Sequence, residues 1–184
     1  MKIRAVLVVL LVGLFGMAAA PASAKPVTPT VTIPPTTIGG TDITVSGTLA
    51  ARVSHLSVKD GHVVAVAKVS GTVTATSPTL GTATIVISKA QVVLNADVRA
   101  DCEGNLHIDF HGVLQLRATV TFTSTTGATS TVTINETVPV SGSFDFTAQT
   151  AEQTTLICNI SQLLQNGGSI QAIVDAINAL LETL

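Results

Sequence analysis

The segment AQVVLNADVRADCEGNLHIDFHGVLQLRATVTF, residues 90–122, alternates apolar and polar side chains on both sides of a short loop. Alternation with a period of two is typical of a β-strand that buries one face. The segment therefore predicts a long antiparallel hairpin. Its inward-facing residues are Ala90, Val92, Leu94, Ala96, Val98, Ala100 and Cys102 in the first strand, and Leu106, Ile108, Phe110, Leu114, Leu116, Ala118, Val120 and Phe122 in the second.

A loop of odd length keeps both strands of this hairpin in one apolar phase, which favours Glu103-Gly104-Asn105 as the loop. With that loop, Cys102 pairs with Leu106 and Ala100 with Ile108. The outer face then carries complementary neighbours across the two strands. These neighbours are Asp101 beside His107, Arg99 beside Asp109, and Asp97 beside His111.

Another hairpin is predicted upstream, at the dipeptide Asp60-Gly61, which favours a two-residue type I′ turn. That turn pairs Val58 with Val63 and Leu56 with Ala65, and both pairs fall on the apolar face. Turn chemistry and hydrophobic pattern therefore agree on this register.

Residues 41–157 are rich in Val, Thr and Ile, and short turns that contain Gly interrupt the alternation. The apolar phase switches near Ser54 and His55, which predicts a β-bulge there. We expect an all-β fold of about six to eight antiparallel strands, either a sandwich or a small barrel. The pattern indicates a single β-rich domain over residues 41–184, including a C-terminal helix.

That helix is indicated by a change of the hydrophobic period from two to about 3.6 after Cys158. Ser169 follows two glycines and suits the N-cap position. The sequence predicts a helix over residues 169–184 that packs on the sheet with one apolar stripe. The stripe consists of Ile170, Ile173, Val174, Ile177, Leu181 and Leu184.

The N-terminal residues have the three parts of a secretory signal. Lys2 and Arg4 come first, an apolar run follows, and Ala22-Ser23-Ala24 ends it. We expect a cleavable signal peptide over residues 1–24 and secretion to the periplasm or the extracellular space. The Pro- and Thr-rich residues 25–40 are predicted to form an extended leader. No later stretch reaches the roughly 20 apolar residues of a membrane span, so no transmembrane segment is expected after cleavage.

Charge and cysteine content narrow the functional classes. Without residues 1–24 the chain keeps seven Lys and Arg residues against 11 Asp and Glu, a net charge of about −4. Nucleic acid is not expected as a partner, because phosphate backbones are bound by basic surfaces.

Cys102 and Cys158 are the two cysteines, and an oxidising compartment favours a disulfide between them. Two free buried thiols are the alternative.

The outer face of the long hairpin is the first candidate site. Its carboxylates and imidazoles are of the kind that bind a divalent metal ion. However, two residues four positions apart on a strand stand about 13 Å apart, too far to share one ion without a bulge. The favoured interpretation is a solvated face of cross-strand pairs. The candidate ligands are His107, Asp109, His111, Asp97 and Asp101.

The inward face is the second candidate site. It combines many Ala and Val residues with four Phe residues, so the strands either close over a full core or curve around an apolar cavity. The full core is the favoured outcome. If a cavity exists, the C-terminal helix covers it and the phenylalanines line it. These are Phe110, Phe122, Phe144 and Phe146.

Catalytic signatures are not found in the sequence. A nucleophile elbow, a phosphate loop, a dinucleotide fingerprint and a zinc-protease helix are all missing, so neither an enzyme nor a cofactor is expected. Residues 25–184 also contain no Tyr or Trp, the usual anchors of protein and sugar recognition.

The stretch LSVKDGHVVAVA, residues 56–67, followed by GTVT at 71–74, resembles a pattern of uncharacterised small secreted bacterial β-rich proteins. In those proteins such a hairpin precedes a Cys-led β segment and a closing Leu-Leu-Cys helix. Cys102 and Leu156-Ile157-Cys158 correspond to these later parts. The resemblance departs after Cys102, where the family is rich in Leu and Pro. It implies export and a cysteine pair, and it implies no activity.

The sequence thus favours a secreted, non-enzymatic β-rich envelope or extracellular module with a structural or binding role. An envelope protein or an apolar ligand is the expected partner. The alternative hypothesis is a carrier of an apolar small molecule or lipid, held in a β-barrel or sandwich cavity under the C-terminal helix. A metal-dependent hydrolase on the His107 face ranks below both.

Overall fold

The computed structural model describes residues 27–124 and 126–184, and the predicted signal peptide, residues 1–24, lies outside them. The chain forms six strands followed by two helices. The strands are β1 (Thr30–Thr37), β2 (Thr44–Lys59), β3 (His62–Ser77), β4 (Gly81–Ala100), β5 (Asn105–Thr123) and β6 (Thr129–Thr147), and the helices are α1 (Ala151–Gln165) and α2 (Ile170–Leu181).

The six strands form one closed antiparallel barrel in which each strand pairs with its neighbours along the chain. The ring is closed by β1, which pairs with β6 from Thr30–Ser143 to Thr32–Ser141. The all-β prediction is confirmed, and the choice between sandwich and barrel is decided for the barrel. Closure places the apolar phase of every strand inside, where Val, Leu, Ile and Phe side chains form one continuous core.

Close approach of β1 to β6 depends on a residue without a side chain. Gly142 lies opposite Val31, and a Cβ atom at Gly142 would overlap the carbonyl oxygen of Thr30. Glycine in a strand often marks such a close contact or a sharp bend of a barrel. Gly142 therefore permits the ladder that closes the ring.

The first predicted hairpin is confirmed. Val58 pairs with Val63 and Leu56 pairs with Ala65 across the turn at Asp60-Gly61. The predicted bulge is also present, because the β2–β3 register shifts between Val53 and Leu56.

The second hairpin exists, but its predicted register is wrong by two residues. Ala100 pairs with Leu106 rather than with Ile108, and Cys102 lies in the loop. The Asp101 carboxylate accepts hydrogen bonds from the backbone N–H groups of Glu103 and Asn105 and from the Asn105 side chain, which lengthens the turn. A shift of two residues preserves the inward phase, so the hydrophobic pattern did not detect it.

Part of the predicted leader is a strand. Thr30–Thr37 form β1, and the β1–β2 register shifts between Ile33 and Thr36, around Pro34-Pro35. Proline lacks the N–H group that a ladder needs, and it is tolerated in a sheet at such bulges. Because of its prolines, this segment was predicted as an extended leader and not as a strand.

The predicted C-terminal helix is confirmed as α2, with Ser169 as its N-cap. The expectation of strand structure up to about Ile157 is wrong, because β6 ends at Thr147 and α1 begins at Ala151. The Thr150 hydroxyl accepts a hydrogen bond from the backbone N–H of Gln153 and caps α1.

Both helices pack at the barrel end that carries the β2–β3 and β4–β5 turns. There the Val53 N–H donates a hydrogen bond to the Val27 carbonyl, and this bridge is the last pairing of β2 with the segment before β1. Beyond this point the Asn178 side chain of α2 replaces a strand, accepting from Leu56 N–H at 2.8 Å and donating to the Leu56 carbonyl at 3.0 Å. A disulfide between Cys102 and Cys158 joins α1 to the β4–β5 loop.

The barrel wall has one interrupted seam among the described strands. β4 and β5 pair at Thr82–Thr123 and again from Leu94–Gly112 onwards, with no register pair between these positions. Val86, Val93 and Val113 flank the seam on the outside, and Val86 is 76% exposed.

We expect removal of the disulfide to destabilise the protein strongly. Cys102 and Cys158 are 56 residues apart, and opening a loop of that size costs about 4 kcal/mol in the chain-entropy description. Urea unfolding of the oxidised protein and of the Cys102→Ala/Cys158→Ala double variant measures the difference. Equal unfolding midpoints would contradict the expectation.

We expect Gly142→Ala to weaken barrel closure, because the new methyl group overlaps the β1 backbone. The free energy of unfolding should fall by about 1–3 kcal/mol, the usual cost of overpacking. Ser143→Ala, a substitution on the exposed face of the same strand, is the control and should change stability little. The same loss in both variants would mean that closure at Gly142 is not the cause.

Candidate functional site

The outer face of β5 and β6 carries a compact charged cluster around His107. His107 lies opposite Asp145 in the β5–β6 register, and its Nδ1 atom is 2.5 Å from Asp145 Oδ1. Its Nε2 atom is 2.9 Å from Asp109 Oδ1, and Arg99 donates to the other oxygen of Asp109 at 2.9 Å. Each of these polar groups therefore has an oppositely charged neighbour.

The cluster favours the doubly protonated form of His107. The hydrogen bond to Asp145, followed by the one to Asp109, raises the pKa of His107 above its usual value of 6.5. Both ring nitrogens then donate to carboxylates, which leaves no lone pair on the ring to bind a metal ion or accept a proton.

The structure divides the predicted metal ligands among three places. Asp101 holds the β4–β5 turn, His107 binds Asp109, and His111 Nδ1 lies 3.6 Å from Asp97 Oδ2. Within residues 27–124 and 126–184, no group of three or more His, Cys, Asp or Glu side chains is placed to hold a metal ion. The five residues thus do not come together as one site.

The predicted neighbours Arg99–Asp109 and Asp97–His111 are in contact, although neither pair stands directly opposite in the ladder. They meet diagonally, because the true register is shifted by two residues. The pair Asp101–His107 is replaced by His107–Asp145, since Asp101 belongs to the turn.

The four phenylalanines do not line one cavity. Phe110 and Phe122 are fully buried in the barrel core, 2% and 0% exposed. Phe144 and Phe146 are half-buried near the helical end, where their rings stack with centroids 6.4 Å apart. Their distribution agrees with a barrel whose interior is filled by side chains.

A cleft of about 520 Å³ lies between the barrel and the helices, and we call it the lid cleft. It opens where β3 separates from β4: their ladder begins at Val64–Asn95, which leaves His62 and Val63 without partners in β4. Leu164 of α1 and Ile170 and Ile173 of α2 form its other wall.

The lid cleft combines an apolar interior with a polar rim. Its volume lies within the range of about 300–1,000 Å³ that is typical of small-molecule sites. The apolar lining residues are Val63, Ala96, Val98, Leu164, Ile170 and Ile173, and the polar ones are His62, Asn95, Asp97 and His111. Of the predicted metal ligands, Asp97 and His111 lie here, and none of the four phenylalanines is among the lining residues.

Sequence reasoning missed most of this site because its walls come from segments far apart in the chain. One local signal was present. Thr150-Ala151-Glu152-Gln153 has the spacing of a helix-capping box, and it marks the start of the helix that carries Leu164.

Comparison of the chain with protein-family models, with curated proteins and with solved structures gave no significant match. Neither α1 nor α2 is long and apolar enough to cross a membrane, and the described residues hold no other helix that is.

We expect the His107 cluster to make stability depend on pH. The pKa of His107 is higher in the folded protein than the unfolded value of 6.5, so the interactions of His107 stabilise the fold fully at pH values below 6.5. This stabilisation is lost as the pH rises through the folded pKa. The advantage of the wild type over His107→Gln should therefore shrink as the pH is raised from about 6 into the alkaline range. Urea unfolding across this range tests it, and parallel stability curves for the two proteins would contradict it.

Proposed function

We propose that this chain is an exported, non-enzymatic binding module that holds an apolar small molecule in the lid cleft. The observation that carries the proposal is the lid cleft itself, about 520 Å³ in volume, between the barrel and the helices. Six apolar side chains from β3, β4, α1 and α2 meet there. Burial of apolar ligand surface against such side chains is favourable by about 25 cal/mol per Å².

Export is supported by two features. Residues 1–24 have the sequence of a secretory signal, and Cys102 and Cys158 form a disulfide. Disulfides persist in oxidising compartments, so the pair is consistent with a periplasmic or extracellular location.

The lid cleft lies at the helical end of the barrel. The two helices are attached to the barrel by buried side chains of the common core, by the Cys102–Cys158 disulfide and by the hydrogen bonds of Asn178 with Leu56. Between these attachments lies the α1–α2 connection, residues 166–169, which borders the cleft through Leu164 and Ile170.

The rim indicates the chemistry of the ligand. His111 and Asp97 form a polar pair 3.6 Å apart, and Asn95 and His62 add groups that donate and accept hydrogen bonds. A mainly apolar molecule with one uncharged polar group, such as an alcohol or an ester, satisfies both the interior and the rim.

A role without catalysis is supported by the chemistry of His107, whose two nitrogens both bond to carboxylates. The sequence also lacks the common catalytic motifs.

A purely structural module is the second candidate function. The filled barrel core favours it, because the core offers no room for a ligand around Phe110 and Phe122.

Native mass spectrometry of the disulfide-bonded Lys25–Leu184 form, purified from a bacterial periplasm, tests the proposal. Extra mass that is lost on denaturation supports the binding module. A bare mass, together with no binding of the neutral fluorophore N-phenyl-1-naphthylamine, supports the structural module instead.

The position of the ligand is tested with a matched pair of substitutions. Ile170→Glu places a charge in the lid cleft and should weaken fluorophore binding by about tenfold or more, since a buried unpaired charge is costly. Val86→Glu adds the same charge at an exposed position outside the cleft and should leave binding unchanged. Loss of binding in Val86→Glu alone would move the site to the β4–β5 seam and contradict the proposal.

A further inference from the structure

The outer face of β2, β3 and β4 carries two cations in direct opposition. Arg52 pairs with Lys68 in the β2–β3 register, and Lys68 pairs with Gln91 in the β3–β4 register. Like charges directly opposite each other in a sheet are destabilising. An arrangement that costs stability needs another reason to be there.

No carboxylate in the described part of the chain forms an ion pair with either cation. The ion pairs found in residues 27–124 and 126–184 involve Arg99, His107 and His111, all on β4 and β5. The chain has more acidic than basic residues, 11 against nine, so acids are not scarce. Arg52 and Lys68 nevertheless have no ion-pair partner among the described acidic residues.

The bulge in β2 adds two more polar groups at the same place. Ser54 and His55 lie within the register shift between Val53 and Leu56, and the Ser54 hydroxyl is 3.1 Å from His55 Nδ1. When Ser54 donates to Nδ1, the other ring nitrogen, Nε2, carries a hydrogen and is itself a donor. Bulges commonly re-aim side chains in this way at functional positions.

These side chains surround a cavity of about 240 Å³ on the outer face of the barrel. It is lined by Arg52, Ser54, His55, Val66, Lys68 and Gln91. All the polar members offer hydrogen-bond donors, and the cavity has no acidic member. It shares no lining residue with the lid cleft.

We propose that this cavity binds a phosphate group, either as free phosphate or as the phosphate of a larger molecule. The planar guanidinium of Arg52 can donate two parallel hydrogen bonds to an oxyanion, and the Lys68 ammonium supplies a second charge. The Nε2–H of His55 and the side-chain amide of Gln91 donate to the remaining oxygens, while the Ser54 hydroxyl holds His55 in the tautomer that makes Nε2 a donor. A bound anion also removes the repulsion between Arg52 and Lys68, so occupancy of the cavity stabilises the fold.

Titration of the disulfide-bonded Lys25–Leu184 form with inorganic phosphate, followed by backbone amide NMR at low ionic strength, tests the proposal. Saturable shifts should concentrate at residues 52–55, 68 and 91. Arg52→Gln and Lys68→Met should each weaken phosphate binding by about tenfold or more. Lys59→Met, which removes a lysine of the same sheet outside the cavity, is the matched control and should keep the wild-type affinity.

Thermal unfolding provides a second measurement that does not depend on the NMR map. Without phosphate, Lys68→Met should unfold at the wild-type temperature or above it, because the substitution removes a repulsion. Phosphate should raise the unfolding temperature of the wild type and of Lys59→Met but not that of Lys68→Met. An equal effect of phosphate on all three proteins would overturn the proposal, as it would indicate general charge screening.

Two sources of the phosphate are distinguished with soluble and vesicle probes. Binding of inorganic phosphate and of glycerol 3-phosphate, with the predicted variant sensitivity, supports a soluble ligand. Binding only to phosphatidylglycerol vesicles, with the same sensitivity to Arg52→Gln and Lys68→Met, supports a lipid headgroup. Failure of the wild type to bind any of these probes would overturn the proposal and would leave the lid cleft hypothesis unaffected.

Discussion

The structure depends on the pairing of β1 with both β2 and β6. Without β1, the long strands β2 and β6 would each expose a free edge, and unpaired strand edges are prone to associate with other chains. The β1–β6 ladder is only three pairs long, from Thr30–Ser143 to Thr32–Ser141. It forms because Gly142 lets the β1 backbone approach, and it ends before the β1–β2 register shift around Pro34-Pro35. Closure then turns six amphipathic strands into one core.

The short length of β1 also explains the helices. β1 has eight residues whereas β2 has 16, so one end of the barrel lacks a strand. The Asn178 side chain occupies the position that a strand would have had at Leu56, and its amide satisfies both backbone groups. Burying these groups without partners would cost about 1–3 kcal/mol each. The helices thus complete the wall at this end of the barrel, and the lid cleft lies between them and the ends of β3 and β4.

The outer surface separates into two faces with different electrostatic character. On β4, β5 and β6, Arg99, Asp109, His107 and Asp145 satisfy one another. On β2, β3 and β4, Arg52 and Lys68 stand together in a cavity whose lining includes no acidic residue. Cross-strand neighbours decide both outcomes, because side chains on one face of a sheet interact mainly with the residues opposite and diagonal to them. The first face is neutralised internally, and the second is left open to an anion.

Local patterns in the sequence were sufficient for the elements whose partners are close in the chain. The turn at Asp60-Gly61, the bulge at Ser54 and His55, and the helix that begins after Ser169 all follow from residues within a few positions of one another. The phase of the long hairpin followed in the same way, but its register did not, since a shift of two residues leaves the pattern unchanged. The inward position of the four phenylalanines was visible in the sequence, although their division between the core and the helical end was not.

The sequence by itself determined that the chain alternates as strands, ends in a helix and contains two cysteines suited to a disulfide. Only the tertiary structure decided that β1 closes a barrel, that Asn178 completes β2, and that the lid cleft and the Arg52–Lys68 cavity exist. The physical reason is the distance along the chain between the partners. Val31 meets Gly142, and Leu56 meets Asn178, 122 residues away. Periodicity records which face of a strand is buried, but it carries no information about which distant segment covers that face.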